Sequence, residues 1–198
     1  MDWYEAEVRA LEKSLITVPP QPDVVVFYGS SSIRLWDTLA SDFKTIPTLN
    51  LGFGGSTLAA CVHFFERLVV PCKPRSLVFY AGDNDLGDGQ PPEAVANSLR
   101  ALLQKTTQYL GEIPFAFLAI KPSLARWSLI ERIRQTNELS QGELAQRKFS
   151  YYIDTFQPML GDDGQPQPEL FAADGLHLSP TGYQVWTQVL YEHQQQIF

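Results

Sequence analysis

The chain is predicted to fold as a three-layer α/β/α sandwich built on a five-stranded parallel sheet. Strand-like runs that are apolar throughout, helix-length segments between them, and glycine-bearing polar turns after them all point that way. The runs are "VVVFY" (24–28), "TIPTLNLGF" (45–53), "SLVFYA" (76–81), "FAFLAI" (115–120) and "FSYYIDT" (149–155), all dense in β-branched and aromatic residues. Between the third and fourth, Val95, Leu99, Leu102, Leu103 and Leu110 recur at helical spacing over 91–110. Near the end, Trp186, Val189, Leu190 and Ile197 repeat the pattern, and Ser179-Pro180 supplies a cap with proline at the first helical position. Strands without polar alternation need cover on both faces, which makes the sheet flavodoxin-like.

Length and composition agree with a single unit spanning 1–198. At 198 residues, 44% apolar and 12% aromatic, the chain can bury a real core without disulfides or metals. "GDDGQPQPE" (161–169) is a surface loop rather than a domain linker. The net charge of −7, without a lysine or arginine cluster, argues against nucleic-acid and anionic-membrane partners. Cys61 and Cys72, the two cysteines, lack C-x-x-C spacing and read as thiols buried under or at the end of a helix. The N-terminal "MDWYEAEVRALEKS" is acidic and amphipathic rather than signal-like, so the expectation is a cytoplasmic protein with no membrane span.

In open parallel sheets, sites form beyond the carboxyl ends of the strands. The segments found there are "GSSS", "GFGGST" (52–57), "GDNDLGDG" (82–89), "KPSLARW" (121–127) and, after the fifth strand and its loop, "DGLHLSPTG" (174–182). Small hydroxyls, glycines, an amide, carboxylates and a histidine therefore converge on one rim. Nucleophilic serine chemistry needs a hydroxyl, an imidazole to take its proton, a carboxylate to orient that ring, and donors for the developing oxyanion. Of three histidines, His63 lies in an apolar helical stretch and His193 near the end of the last helix, which leaves His177 at the rim. Asp174 precedes it by three residues, a spacing that lets a carboxylate reach Nδ1 while Nε2 faces a serine. The bland alternative is a turn-capping Asp174 and an idle loop histidine. The serine run 30–32 offers three candidate hydroxyls, or merely a capped helix start.

Two other readings of the rim fail. "GFGGST" lacks the G-x-G-x-x-G spacing of a dinucleotide fingerprint. "GDNDLGDG" puts Asp88 where a calcium loop needs glycine and Ala94 where it needs the bidentate glutamate. Neither a metal nor a cofactor is expected.

In order along the chain, "YGSSSI", "GFGGST", "GDND" and "DGLH" resemble the four blocks of the SGNH, or GDSL-type, hydrolase family, from Gly29 to His177. The resemblance implies Ser31 as nucleophile, completed by His177 and Asp174. It also implies an oxyanion hole made of the Ser31 N–H, the Gly55 N–H and the Asn84 side-chain amide. The first block departs from the family's Gly-Asp-Ser, reading Gly29-Ser30-Ser31-Ser32, so Ser30 and Ser32 stand as chemically similar neighbours. The activity implied by the resemblance is that of a serine esterase acting through an acyl-enzyme on a small-molecule substrate.

A small, accessible ester with a short acyl or acetyl group fits a chain with few residues beyond the core fold. Thioesters and carbohydrate acetyl esters remain alternative substrate classes. Asp83, Asp85, Lys121 and Trp127 are the candidate substrate contacts, and the rim aspartates weigh against polyanionic substrates. The rival functions are a phosphate-binding module using the serine-rich helix start and a catalytically inactive scaffold.

Overall fold

The computed structural model describes residues 1–198. Its five strands are β1 (Val25–Gly29), β2 (Thr48–Gly52), β3 (Ser76–Tyr80), β4 (Phe115–Leu118) and β5 (Ser150–Ile153). They form one sheet in the order β2-β1-β3-β4-β5, and every neighbouring pair is parallel. The chain moves to one side of β1 for β2 and to the other for β3. Loops leaving β1 and β3 thus diverge at the strands' carboxyl ends, where a crevice opens.

β1 matches its run in length, shifted by one residue; the other four strands are shorter than theirs, and local chemistry explains two of the boundaries. β2 starts only after Pro47, which has no N–H for the ladder. β5 starts after Phe149, an exposed residue in the left-handed region at φ 56°. Beyond the end of β4, Asn137 acts as a substitute strand: its amide accepts from the Ile120 N–H (2.8 Å) and donates to the Ile120 carbonyl (2.9 Å).

Alternating side chains feed two cores. Val26, Tyr28, Leu77 and Phe79 point to one face, and Val25, Phe27, Val78 and Tyr80 to the other. The first face is covered by α1 (Glu5–Thr17), α4 (Leu58–Leu68), α6 (Pro92–Leu110) and α7 (Ile130–Ala145). Val95, Leu99, Leu102 and Leu103 are buried there as their spacing requires, and so is Cys61 on α4, with Cys72 in the turn beyond that helix.

The second face carries α2 (Ser31–Arg34), α3 (Leu39–Asp42), α8 (Pro180–Glu192) and α9 (Gln194–Ile197), with Trp36, Phe43 and Trp186 between them and the sheet. The last helical pattern is interrupted at His193, which ends α8, yet Trp186, Val189, Leu190 and Ile197 are all buried. Ser179 caps α8 as expected, its Oγ accepting from the Gly182 N–H. No helix is long and apolar enough to cross a membrane.

Glycine lets two strand ends meet other backbone directly. A Cβ at Gly29, where φ is 142°, would stand 1.9 Å from the Tyr80 carbonyl oxygen. One at Gly52 would stand 2.3 Å from the Arg34 nitrogen. Gly29→Ala combines an unfavourable φ with a backbone clash. It is expected to destabilise the fold by at least about 3 kcal/mol, read from the urea midpoint at unchanged m-value.

Candidate active site

Ser31 is the first residue of α2, two positions after the strand glycine. The Ser30 N–H donates to the Tyr80 carbonyl at 2.9 Å, which fixes where the chain leaves the sheet. Ser30 and Ser32 are buried at 2% exposure, whereas Ser31 opens on a cleft of about 510 Å³. The three serines are therefore not equivalent. α2 is a single turn of four residues, so it presents unpaired N–H groups rather than the field of a long helix.

His177 arrives from the opposite end of the chain. Its Nε2 lies 2.9 Å from Ser31 Oγ, and its Nδ1 lies 2.6 Å from Asp174 Oδ2. Asp174 does two things at once. Oδ1 accepts from the Leu176 and His177 backbone N–H groups, each at 2.9 Å, and Oδ2 holds the ring. The hydrogen bond from His177, helped by those two N–H groups, holds the Asp174 carboxyl down at about 2. The same side chain thus shapes its own turn and holds the imidazole. His63 is half-buried on α4, edge-on to Phe64, and His193 ends α8; neither borders the cleft.

Gly55, at φ 65°, and Asn84 border the same cleft. Asn84 belongs to α5 (Asp83–Gly87), which starts after Gly82 at the end of β3. Its Nδ2 donates to the Ser56 carbonyl at 3.0 Å, and its Oδ1 accepts from Arg126 NH2 at 3.1 Å. An amide nitrogen carries two hydrogens, so one remains for a ligand. The Arg126 contact also settles which end of the amide is the donor.

The four candidate substrate contacts sit elsewhere. Lys121 is 1% exposed and Asp83 5%. Lys121 Nζ lies 3.2 Å from both Asp83 Oδ2 and the Tyr80 hydroxyl, and Arg126 NH1 lies 2.7 Å from Asp83 Oδ1. Burial alone would push the Asp83 carboxyl up, but Lys121 and Arg126 outweigh it and hold it below the usual carboxylate range. Asp85 is buried too, accepting from the Leu58 N–H at the start of α4 (2.8 Å). Trp127 is half-buried and away from the cleft. Of the three aspartates after β3, Asp83 is neutralised by two cations and Asp85 caps a helix. Only Asp88 is exposed.

Residues not anticipated from the sequence take their place. Trp3, Ala6 and Glu7, from the N-terminal segment, form a cleft wall with Arg34 and Leu176. Arg34 closes the single turn that Ser31 opens. Nothing in the amphipathic pattern of α1 indicated that its polar residues reach this loop.

Comparison with known proteins gives the family. The family model described as "GDSL-like Lipase/Acylhydrolase family" matches residues 20–185. The chain belongs to that family. This acylhydrolase is a carboxylic ester hydrolase of the SGNH/GDSL type, and its substrates are small-molecule esters. A search of curated proteins finds no match. Among solved structures, it is similar to a Streptococcus pneumonia protein provisionally described as a platelet activating factor (TM-score 0.85, 20% identity, covering 97% of this chain and 94% of that one). It is also similar to a GDSL-like lipase from Bacteroides thetaiotaomicron (0.80, 18%, 96% and 98%). A catalytic mutant of an acetylxylan esterase from Geobacillus stearothermophilus aligns with a TM-score of 0.73 at 13% identity, over 87% of this chain and 94% of that one. At these identities the likeness is one of fold.

The ion cluster beneath Asn84 makes a stability prediction. Asp83→Ala leaves the Lys121 ammonium buried without its counter-charge, which is expected to cost about 3–5 kcal/mol in denaturant unfolding.

Proposed function

We propose that this acylhydrolase is a serine esterase acting on small carboxylic esters with short acyl groups, acetyl included, through an acyl-enzyme. One observation carries the proposal: the unbroken chain Asp174 Oδ2 – His177 Nδ1 (2.6 Å) and His177 Nε2 – Ser31 Oγ (2.9 Å). Both are within proton-transfer reach before any substrate arrives.

His177 Nε2 takes the Oγ proton as Oγ attacks the ester carbonyl carbon. The carbonyl electron pair moves onto oxygen, which faces the Ser31 N–H, the Gly55 N–H and the free Asn84 Nδ2 hydrogen. Collapse breaks the bond to the alcohol oxygen, and that oxygen takes the proton from Nε2. A water deprotonated by the same nitrogen then attacks the acyl carbon, freeing the carboxylic acid and restoring Ser31. The ionised Asp174 stabilises each imidazolium and keeps Nε2 aimed outward.

The cleft favours short acyl groups. Its wall mixes Glu7 and Arg34 with Trp3, Ala6 and Leu176, and these make no continuous apolar channel for a long chain. The phosphate-binding alternative loses support because Glu7 already occupies Arg34, at 3.4 Å.

A p-nitrophenyl ester series is expected to show kcat/KM falling from acetate to long acyl chains. Ser31→Ala and His177→Ala should each remove nearly all activity, and the double variant should be no worse. Asn84→Ala should lower kcat roughly 100- to 1,000-fold. A fluorophosphonate should label Ser31 by peptide mapping; label on Ser30 or Ser32, or an active Ser31→Ala enzyme, overturns the assignment.

Asp174 adds no limb of its own to the pH profile in the working range. Its depressed carboxyl stays ionised through the ordinary carboxylate range, and the charge is lost only as pH falls through about 2. From about pH 4 upward, log kcat/KM should therefore show no step from the Asp174 carboxyl; a carboxylate step there that Asp174→Asn removes overturns this.

A further inference from the structure

We propose that α1, which precedes the family-matched segment 20–185, is part of the active site, with Glu7 and Tyr4 as positioning residues for the Gly55 N–H. The inference rests on reading that N–H as an oxyanion donor.

A peptide unit between two glycines is the easiest in a chain to turn over, because neither side has a Cβ to resist. Gly54 and Gly55 make such a unit, and a Cβ added at Gly55 would meet nothing within 4 Å. Packing at Gly55 therefore does not hold the loop. Turning the unit over would replace the Gly55 N–H with the Gly54 carbonyl, setting an acceptor where an oxyanion must sit.

Two side chains from the N-terminal segment grip the peptide units on either side. Glu7 Oε2 accepts from the Gly54 N–H at 2.8 Å, fixing the unit before. The Tyr4 hydroxyl donates to the Gly55 carbonyl at 3.2 Å, fixing the unit after. The middle unit carries the donor and is pinned from both ends.

The grip is itself anchored. Arg67 on α4 binds Glu12 through Nε and NH2 (2.7 and 2.8 Å) and Glu5 through NH1 (2.7 Å). Val8 is fully buried, and the Tyr4 ring meets Phe53 and Phe64 edge-on. Glu7 Oε1 reaches Arg34 Nε at 3.4 Å, steadying the carboxylate between the loop and α2.

The test compares full-length Glu7→Ala, Glu7→Gln and Tyr4→Phe with wild type on p-nitrophenyl acetate, with Ser31→Ala as reference and Tm measured for each. Glu7→Ala is expected to lose about tenfold or more in kcat with KM changed less than about twofold. Glu7→Gln should recover most of it, since its amide oxygen still accepts from Gly54 but no longer pairs with Arg34. Tyr4→Phe deletes one oxygen and should cost about threefold in kcat at unchanged Tm.

Wild-type kcat in both Glu7→Ala and Tyr4→Phe overturns the inference, as does a Glu7→Gln enzyme as impaired as Glu7→Ala. Those results beside an inactive Ser31→Ala enzyme sink this inference alone. An active Ser31→Ala enzyme sinks the nucleophile assignment and this inference with it.

Discussion

The site depends on backbone touching backbone at the carboxyl edge of the sheet. Gly29 lies against the Tyr80 carbonyl and Gly52 against the Arg34 nitrogen, at separations that leave no room for a Cβ. In register, Gly29 pairs with Gly52 on one side and Tyr80 on the other, so both contacts fall on one line across three strands. The consequence is positional. α2 begins flush against the sheet, and Ser31 stands beside the loops that end β2 and β3 rather than a side chain's length above them. A histidine 146 residues further on can then reach its hydroxyl from the loop before α8.

Electrostatics beneath the site fix orientation. Burying Lys121 and Asp83 costs desolvation, which the attraction among Asp83, Lys121 and Arg126 outweighs. What the cluster secures is geometry. Asp83 holds Arg126, Arg126 binds the Asn84 oxygen, and Ser56 takes one of the Asn84 hydrogens, which leaves the other facing the cleft. Asp174 works in a similar way at the opposite wall, using one oxygen to shape its own turn and the other to hold the imidazole. A fixed donor set needs no reorganisation when charge develops on a substrate.

The layers and strand order of this fold were legible because burial on both faces forces unbroken apolar runs, and those runs survive in the sequence as "VVVFY" and "SLVFYA". The placement of Ser31, His177, Asp174, Gly55 and Asn84 at one rim was legible for a related reason: parallel strands all end on the same side. The fate of Asp83 was not. Its partners, Lys121 and Arg126, lie 38 or more residues away, beyond another helix and strand, so Asp83 and Asp85 read as substrate contacts when one was paired and one capped a helix. Tyr4 and Glu7 were illegible too. An amphipathic pattern reports which face of a helix is buried, and it is silent on which loop the flanking polar groups will bind.

A tension between closeness and rigidity runs through the whole rim. Glycine permits close approach because it lacks a side chain, and for that same reason it resists being held. Each proposed donor meets the conflict differently. The Ser31 N–H is fixed covalently, by the turn of α2 that starts against the sheet. The Asn84 amide is fixed by the Arg126 guanidinium on one side and the Ser56 carbonyl on the other. The Gly55 N–H has neither a helix around it nor a side chain of its own, so its constraint must come from outside the loop. That places the requirement on whichever element covers "GFGGST". Here the covering element is α1, which is bound to α4 through Arg67 and precedes the family-matched segment 20–185. Two hydrogen bonds, from Glu7 on α1 and from Tyr4 just before it, supply that outside constraint on the glycine loop.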